Sequence, residues 1–168
     1  MIVDTWLDYP DDESQAVEVF MQGCPFRCNA CQNEHLQSYK QIEKITYEQY
    51  VLEIIKHTEK IRTNKIVFVG GEPLFKESNN LLFIKTFLKE HSETYAICIY
   101  TGYTIDYVKE NNMEGFTFMK TGQYKQDKKQ ESFKTSKEMQ FASSNQKLYD
   151  KNYNLLTTNG NVKFKENN

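Results

Sequence analysis

The stretch "IVFVGGEPLF", residues 66–75, decides the fold. It opens with four apolar residues in succession, without the alternation of a strand that has one wet face, and so reads as a strand covered on both faces. Gly70 and Gly71 then halt the run, and Glu72 and Pro73 follow at once. The runs at 95–100 ("YAICIY") and 116–119 ("FTFM") have the same form, and "AVEVFM" at 16–21 supplies an earlier strand. Helical spacing fills the intervals. "TYEQYVLEIIKHTEK" (46–60) begins with Thr46 and Gln49 in capping-box relation and carries Val51, Ile54, Ile55 and Thr58 on one face. "NNLLFIKTFLKEH" (79–91) repeats Leu81, Ile84 and Leu88, and "TIDYVKENN" (104–112) makes a short helix. Such alternation predicts an α/β fold, a mostly parallel sheet with helices outside. A chain of 168 residues is too short for a closed eight-fold barrel of about 250. The expected architecture is therefore an open, partial (β/α) barrel with its active face at the carboxyl ends of the strands.

Gly23, Gly70, Gly71, Gly102 and Gly122 all fall where a predicted strand ends, and Pro25 and Pro73 lie in the same loops. Backbone freedom thus gathers on one rim, where a bound cofactor would need close approach. The length suits one domain, 1–168, with a core at about 16–149 and an extension at 150–168. Asn159-Gly160 in that extension predicts a terminal hairpin. Lys and Arg number 21 against 23 Asp and Glu, which gives no general pull toward nucleic acid or anionic lipid. No apolar run approaches the roughly 18 residues of a membrane span. The acidic start, "MIVDTWLDYPDDE", is unlike a secretory signal, so a cytoplasmic location is expected. "YKQDKKQESFKTSKE" (124–138) reads as a mobile, solvated loop.

In a reducing compartment clustered cysteines are metal ligands or redox groups. "FMQGCPFRCNACQNEH" (20–35) places Cys24, Cys28 and Cys31 in a C-x3-C-x2-C pattern, close enough for one loop to aim three thiolates at one centre. A complete [4Fe–4S] set takes four cysteines, so three would leave one iron without a protein ligand. Open metal positions mark catalysis, whereas structural sites close their shell. His35 extends the pattern to C-x3-C-x2-C-x3-H, a Cys3His zinc site, and spacing alone leaves both metals open. Cys98, inside "YAICIY", reads as a small buried hydrophobe. Gly70 and Gly71 would let a ligand approach the backbone, and Glu72 offers an acceptor to a cationic amine. A zinc module has no use for such a rim.

C-x3-C-x2-C after a first strand, followed by a strand and Gly-Gly-Glu-Pro, resembles the radical S-adenosylmethionine (SAM) superfamily. Within it "VGGEPLF" (69–75), "YTGY" (100–103), "TGQY" (121–124) and "ASSNQKLY" (142–149) resemble the activating proteins of anaerobic ribonucleoside-triphosphate reductase, in order and approximate spacing. The resemblance implies a [4Fe–4S] cluster on Cys24, Cys28 and Cys31, with SAM chelating the remaining iron. It implies SAM contacts at Ala30, Gln32, Asn33, Gly70, Gly71, Glu72, Pro73, Tyr100, Thr101 and Gly102. Ser143, Ser144, Asn145 and Gln146 would lie at the active face or the partner surface, a helix cap being their plainer role. No catalytic group is expected beyond the cluster and SAM. The implied partner is the large subunit of the reductase, on which a glycine loses hydrogen to become a glycyl radical. An electron donor, flavodoxin-like or another reductant, completes the set. A different glycyl-radical enzyme, of pyruvate formate-lyase type, is the neighbouring reading, and the zinc binding module with His35 is the non-enzymatic one. The chain departs from the family at "DESQA" (12–16), where a Gly-Pro-Gly-x-Arg stretch is usual, and at Gln32, where an aromatic residue is common.

Overall fold

The computed structural model describes residues 2–5, 9–11, 15–39 and 45–164. The strands expected from the apolar runs are β2 (Ala16–Met21), β3 (Lys65–Gly70), β4 (Ala96–Tyr100) and β5 (Phe118–Thr121). They pair in parallel, in chain order, with Val17 opposite Ile66, Ile66 opposite Ile97 and Ile99 opposite Met119. β1 (Ile2–Thr5) and β8 (Lys147–Asp150) add antiparallel strands at the two edges, giving the order β1-β2-β3-β4-β5-β8. The edges do not pair, so among the described residues the sheet is open. The fold is mixed α/β, a central sheet flanked by helices.

Helices α1 (Tyr47–Ile61), α2 (Asn80–His91) and α3 (Ile105–Glu110) all pack on one face. Val17, Val19, Ile66, Phe68, Ile97, Ile99 and Met119 meet Val51, Ile54, Leu81, Ile84, Phe87, Leu88 and Val108 in a single core. α1 starts in the predicted capping box, with the Thr46 hydroxyl accepting from the Gln49 N–H and the Gln49 side chain accepting from the Thr46 N–H. Its stripe is as expected except that Ile55 is only half-buried.

The opposite face carries Ala16, Val67 and Cys98 under Tyr9, and then Tyr100 and Phe118 under Met139, Phe141, Leu148 and Val162. Both faces are thus buried, as the unbroken apolar runs required, but helices cover only one. The other lies partly under a second sheet, β6 (Phe133–Lys134), β7 (Glu138–Gln140) and β9 (Asn161–Lys163), antiparallel in the order β6-β7-β9. The 124–138 segment is therefore not a plain solvated loop: it supplies β6 and the start of β7. Asn159 and Gly160 do form a two-residue turn, at φ +49° and +75°, across which Thr158 and Asn161 exchange both backbone hydrogen bonds. Its limbs then part. β9 joins β7, and Leu156 donates to Leu148 in β8, so the terminal extension closes two sheets rather than standing as a separate hairpin.

Lys134 fastens the second sheet to the segment before β2. Its ammonium donates to the Tyr9 carbonyl and lies 3.8 Å from Asp11, which is 2.7 Å from Lys65. Residues 12–14 of the divergent "DESQA" lie outside the described residues. Among the described residues no helix is long and apolar enough to cross a membrane.

Candidate functional site

Past the ends of β2 and β3 the parallel ladder continues in loops. Gly71 N–H donates to Met21 O at 2.8 Å and Glu72 N–H to Gly23 O at 2.8 Å. The intervening Gln22 carbonyl accepts from Asn80 Nδ2 at 2.9 Å, and the same amide gives its other hydrogen to Glu72 O at 3.0 Å. Asn33 Nδ2 reaches Gly70 O at 3.4 Å, and Gly23 and Cys24 donate to Leu36 and Gln37 at the far end of the cysteine loop. The cysteine loop and the Gly-Gly-Glu turn are one hydrogen-bonded unit.

This changes the role of the glycines. A Cβ on Gly71 would stand 2.6 Å from Gly23 O, and one on Gly102 would stand 2.4 Å from the Phe26 ring. Both positions are kept bare by the approach of the cysteine loop itself, not by space left for a ligand. Phe26 also packs edge-on against Tyr103, with centroids 4.7 Å apart, so the loop is held from the β4 side as well.

Glu72 ties these rims together. It is 1 % exposed, and its carboxyl accepts from Thr101 Oγ1 at 2.6 Å, Gly102 N–H at 2.7 Å and Leu74 N–H at 2.9 Å. Burial pushes its pKa up to about 7, against the pull of those donors. The rim it organises opens onto a cavity of about 760 Å³, within the range of small-molecule sites. Cys24, Cys28 and Cys31 all line it, half-buried and free. So do Ala30, Gln32 and Asn33 from the same loop, Gly70, Gly71 and Glu72 from the β3 turn, and Tyr100, Thr101 and Gly102 after β4. Pro73 is buried and does not reach the cavity. A second hollow of about 550 Å³, near Lys85, Lys89, Asn112 and Gly115, holds none of the predicted residues.

Burial raises the thiol pKa of Cys24 and of Cys28, with Glu72 adding to the first and Cys31 to the second. Desolvated thiols of this kind ionise readily only when a cation compensates them. Among the described residues no three His, Cys, Asp or Glu side chains form a group that could hold a metal ion. The cysteines share a cavity wall rather than converge on one point. His35 is exposed in the turn Glu34–Leu36 and is not part of that wall, so the structure does not bring the predicted Cys3His set together. Cys98 is wholly buried in β4 between Val67 and Phe118, as expected for a small hydrophobe. Arg27 is exposed and does not line the cavity.

Of Ser143, Ser144, Asn145 and Gln146, only Gln146 reaches the cavity. They form a turn into β8 and cap no helix. Ser143 N–H donates to Gln146 Oε1, Ser143 Oγ accepts from Lys125 N–H, and Asn145 Nδ2 and Gln146 Nε2 donate to Gln123 O and Gly122 O. This turn therefore holds the 122–125 loop in place.

Sequence reasoning missed several cavity residues. Phe20, Val69 and Lys120 form its floor together with the expected Tyr100, and residues 129–132 with 139–142 build the wall facing the cysteines. The Lys120 ammonium lies 4.9 Å from the Tyr100 ring centroid and 5.6 Å from that of Phe141. A cation ending the apolar run "FTFMK" at a strand's carboxyl end was a usable signal for Lys120. Nothing local pointed to Phe141 or to the bridging Asn80. Three half-buried thiols outside any disulfide, with Cys98 buried elsewhere, are the donor type that an iron–sulfur cluster takes. A model of one protein family, described as a 4Fe-4S single cluster domain, matches residues 14–149. No curated protein and no solved structure matches the chain.

Proposed function

Since this chain belongs to the 4Fe-4S single cluster domain family, we propose that Cys24, Cys28 and Cys31 hold a [4Fe–4S] cluster whose remaining iron is left for SAM. The observation that carries this reading is the composition of one cavity wall: three half-buried thiols beside the Glu72 rim, with Cys98 and His35 both outside it. The chemistry such a group supplies is one-electron cleavage of SAM to methionine and a 5′-deoxyadenosyl radical, which takes a hydrogen atom from a substrate carbon.

The chain's own residues bind, orient and shield. A carboxylate offers about four acceptor positions, and Glu72 spends three on Leu74, Thr101 and Gly102, leaving room for a cationic amine. That cation would favour the ionised form of Glu72, against the burial that raises its pKa. Lys120 brings the opposite charge to the floor, suited to a carboxylate. Thr101, whose hydroxyl already donates to Glu72, acts through that residue. Ala30, exposed and at φ +57°, presents its backbone to an adenine. Tyr100 offers a ring face on the floor. Together with the subfamily resemblance, the open mouth supports a protein substrate: a glycine in the large subunit of an anaerobic ribonucleoside-triphosphate reductase. Docking of that subunit would exclude water from the radical.

Anaerobic reconstitution tests the first step, with about four iron and four sulfide per chain expected against one zinc for a structural site. Addition of SAM and a reductant should then release 5′-deoxyadenosine, and the large subunit should acquire a glycyl radical visible by EPR. Colourless protein would refute the cluster. A dark protein that never cleaves SAM would refute the cofactor.

A further inference from the structure

Glycine has no side chain, so a protein that acts on one glycine must find it through main-chain contacts and through its neighbours. The cavity wall facing the cysteines offers such contacts. β6 has a single neighbour, β7, and is an edge of the second sheet. Just before it, Lys129 stands opposite Ser143 and Phe133 opposite Gln140, a slip of one residue that marks a bulge. Within the bulge Glu131 and Ser132 are exposed and line the cavity, and neither N–H donates to an acceptor among the described residues. An edge with unpaired main-chain donors is a template for another strand.

We infer that residues 131–133 receive an extended, glycine-containing segment of the partner protein as an added β-strand, whose carbonyl oxygens accept from Glu131 and Ser132. Pairing through the main chain registers a residue that has no side chain and lays it in the cavity that the three cysteines line. Lys125, Lys128 and Lys129, all exposed, and Lys120 on the floor outweigh Asp127 and Glu131, so the segment carries carboxylates beside its glycine. The inference rests on the proposed action on a protein glycine.

Hydrogen exchange of the reconstituted protein, with and without the large reductase subunit, reads the pairing directly: the 131–133 amides should slow about tenfold or more in the complex. Ser132→Pro removes one donor at an edge position where proline is tolerated. It should raise the KM for the large subunit about tenfold with kcat for glycyl-radical formation retained. Ser132→Ala, which returns the N–H, should return the KM. An unshifted thermal melt shows that the proline variant folds, and if it does not fold the exchange experiment decides alone. Unchanged exchange in the complex, or a wild-type KM in Ser132→Pro, overturns the inference while leaving the activity standing. Protection present before the large subunit is added would place a second copy of this chain on the edge and overturn it too. Wild-type protein that cleaves SAM yet never yields a glycyl radical overturns the proposed activity and this inference with it.

Discussion

On the cysteine side of the cavity the chain is pinned through its backbone carbonyls, Met21 and Gly23 accepting from the Gly71 and Glu72 N–H groups and Gln22 from the Asn80 side-chain amide. On the facing side the wall from 122 to 142 combines short backbone ladders, in which Gln130 N–H donates to Ala142 O and Phe141 N–H to Gly160 O, with a set of side-chain amides. Gln130 donates to Phe141 and Asn159, Asn145 to Gln123, and Gln146 to Gly122. The first wall tolerates no Cβ at its closest approaches and so presents three thiols at set positions. The second leans on side-chain amides as well as on its short ladders, so single substitutions can alter it.

The contrast is most severely upset at the thiols. Cys24→Ala, Cys28→Ala or Cys31→Ala should each abolish retention of iron after anaerobic reconstitution, whereas His35→Ala should leave iron and sulfide content unchanged; a zinc site would reverse the second result. Next comes the bridge on the backbone-pinned side. Asn80→Ala strips the donor from the half-buried Gln22 carbonyl and one of two donors from Glu72 O, which keeps the Phe75 N–H, and losing a buried group's hydrogen-bond partner costs about 1–3 kcal/mol. Its melting temperature should fall well below that of any single change in the facing wall.

A pH series refines the contrast. Glu72 is raised from 4.5 to about 7 in the folded protein, so the native state holds a proton that the unfolded chain has lost. The Glu72 contribution to the stability of the metal-free protein is therefore fully present below pH 4.5, is lost as pH rises to about 7, and is absent above. Urea titrations of Glu72→Gln should lack that decline. The smallest effect belongs to the facing wall: Gln130→Ala should cost about 1 kcal/mol, with iron content untouched. A loss as large as that of Asn80→Ala would erase the distinction between the two walls.

Much of the cysteine wall is legible in the amino-acid order, because it is made of local signals. Cys24, Cys28 and Cys31 lie within one short loop, and the apolar run 66–69 with its glycines declares where a strand ends. The same signals mark Glu72 as a rim acceptor, but not as the residue that already holds Thr101 and Gly102. The rim glycines read as room for a ligand, whereas Gly71 and Gly102 make way for the chain. The facing wall is not legible in this way. Its β6 and β7 are two and three residues long, too short for periodicity to register, and lysines and glutamines dominate the segment around them.

Contiguous spacing alone dictated the parallel strands, the helices on them and the loop that carries the thiols, since each of these is a local pattern and each buries its own apolar run. It took the folded chain to settle what covers the other face of the sheet, that Lys120 and Phe141 meet above it, and that Asn80 bridges two loops. Those outcomes depend on residues far apart in the chain, and burial and hydrogen-bond satisfaction between such residues exist only once the chain has folded.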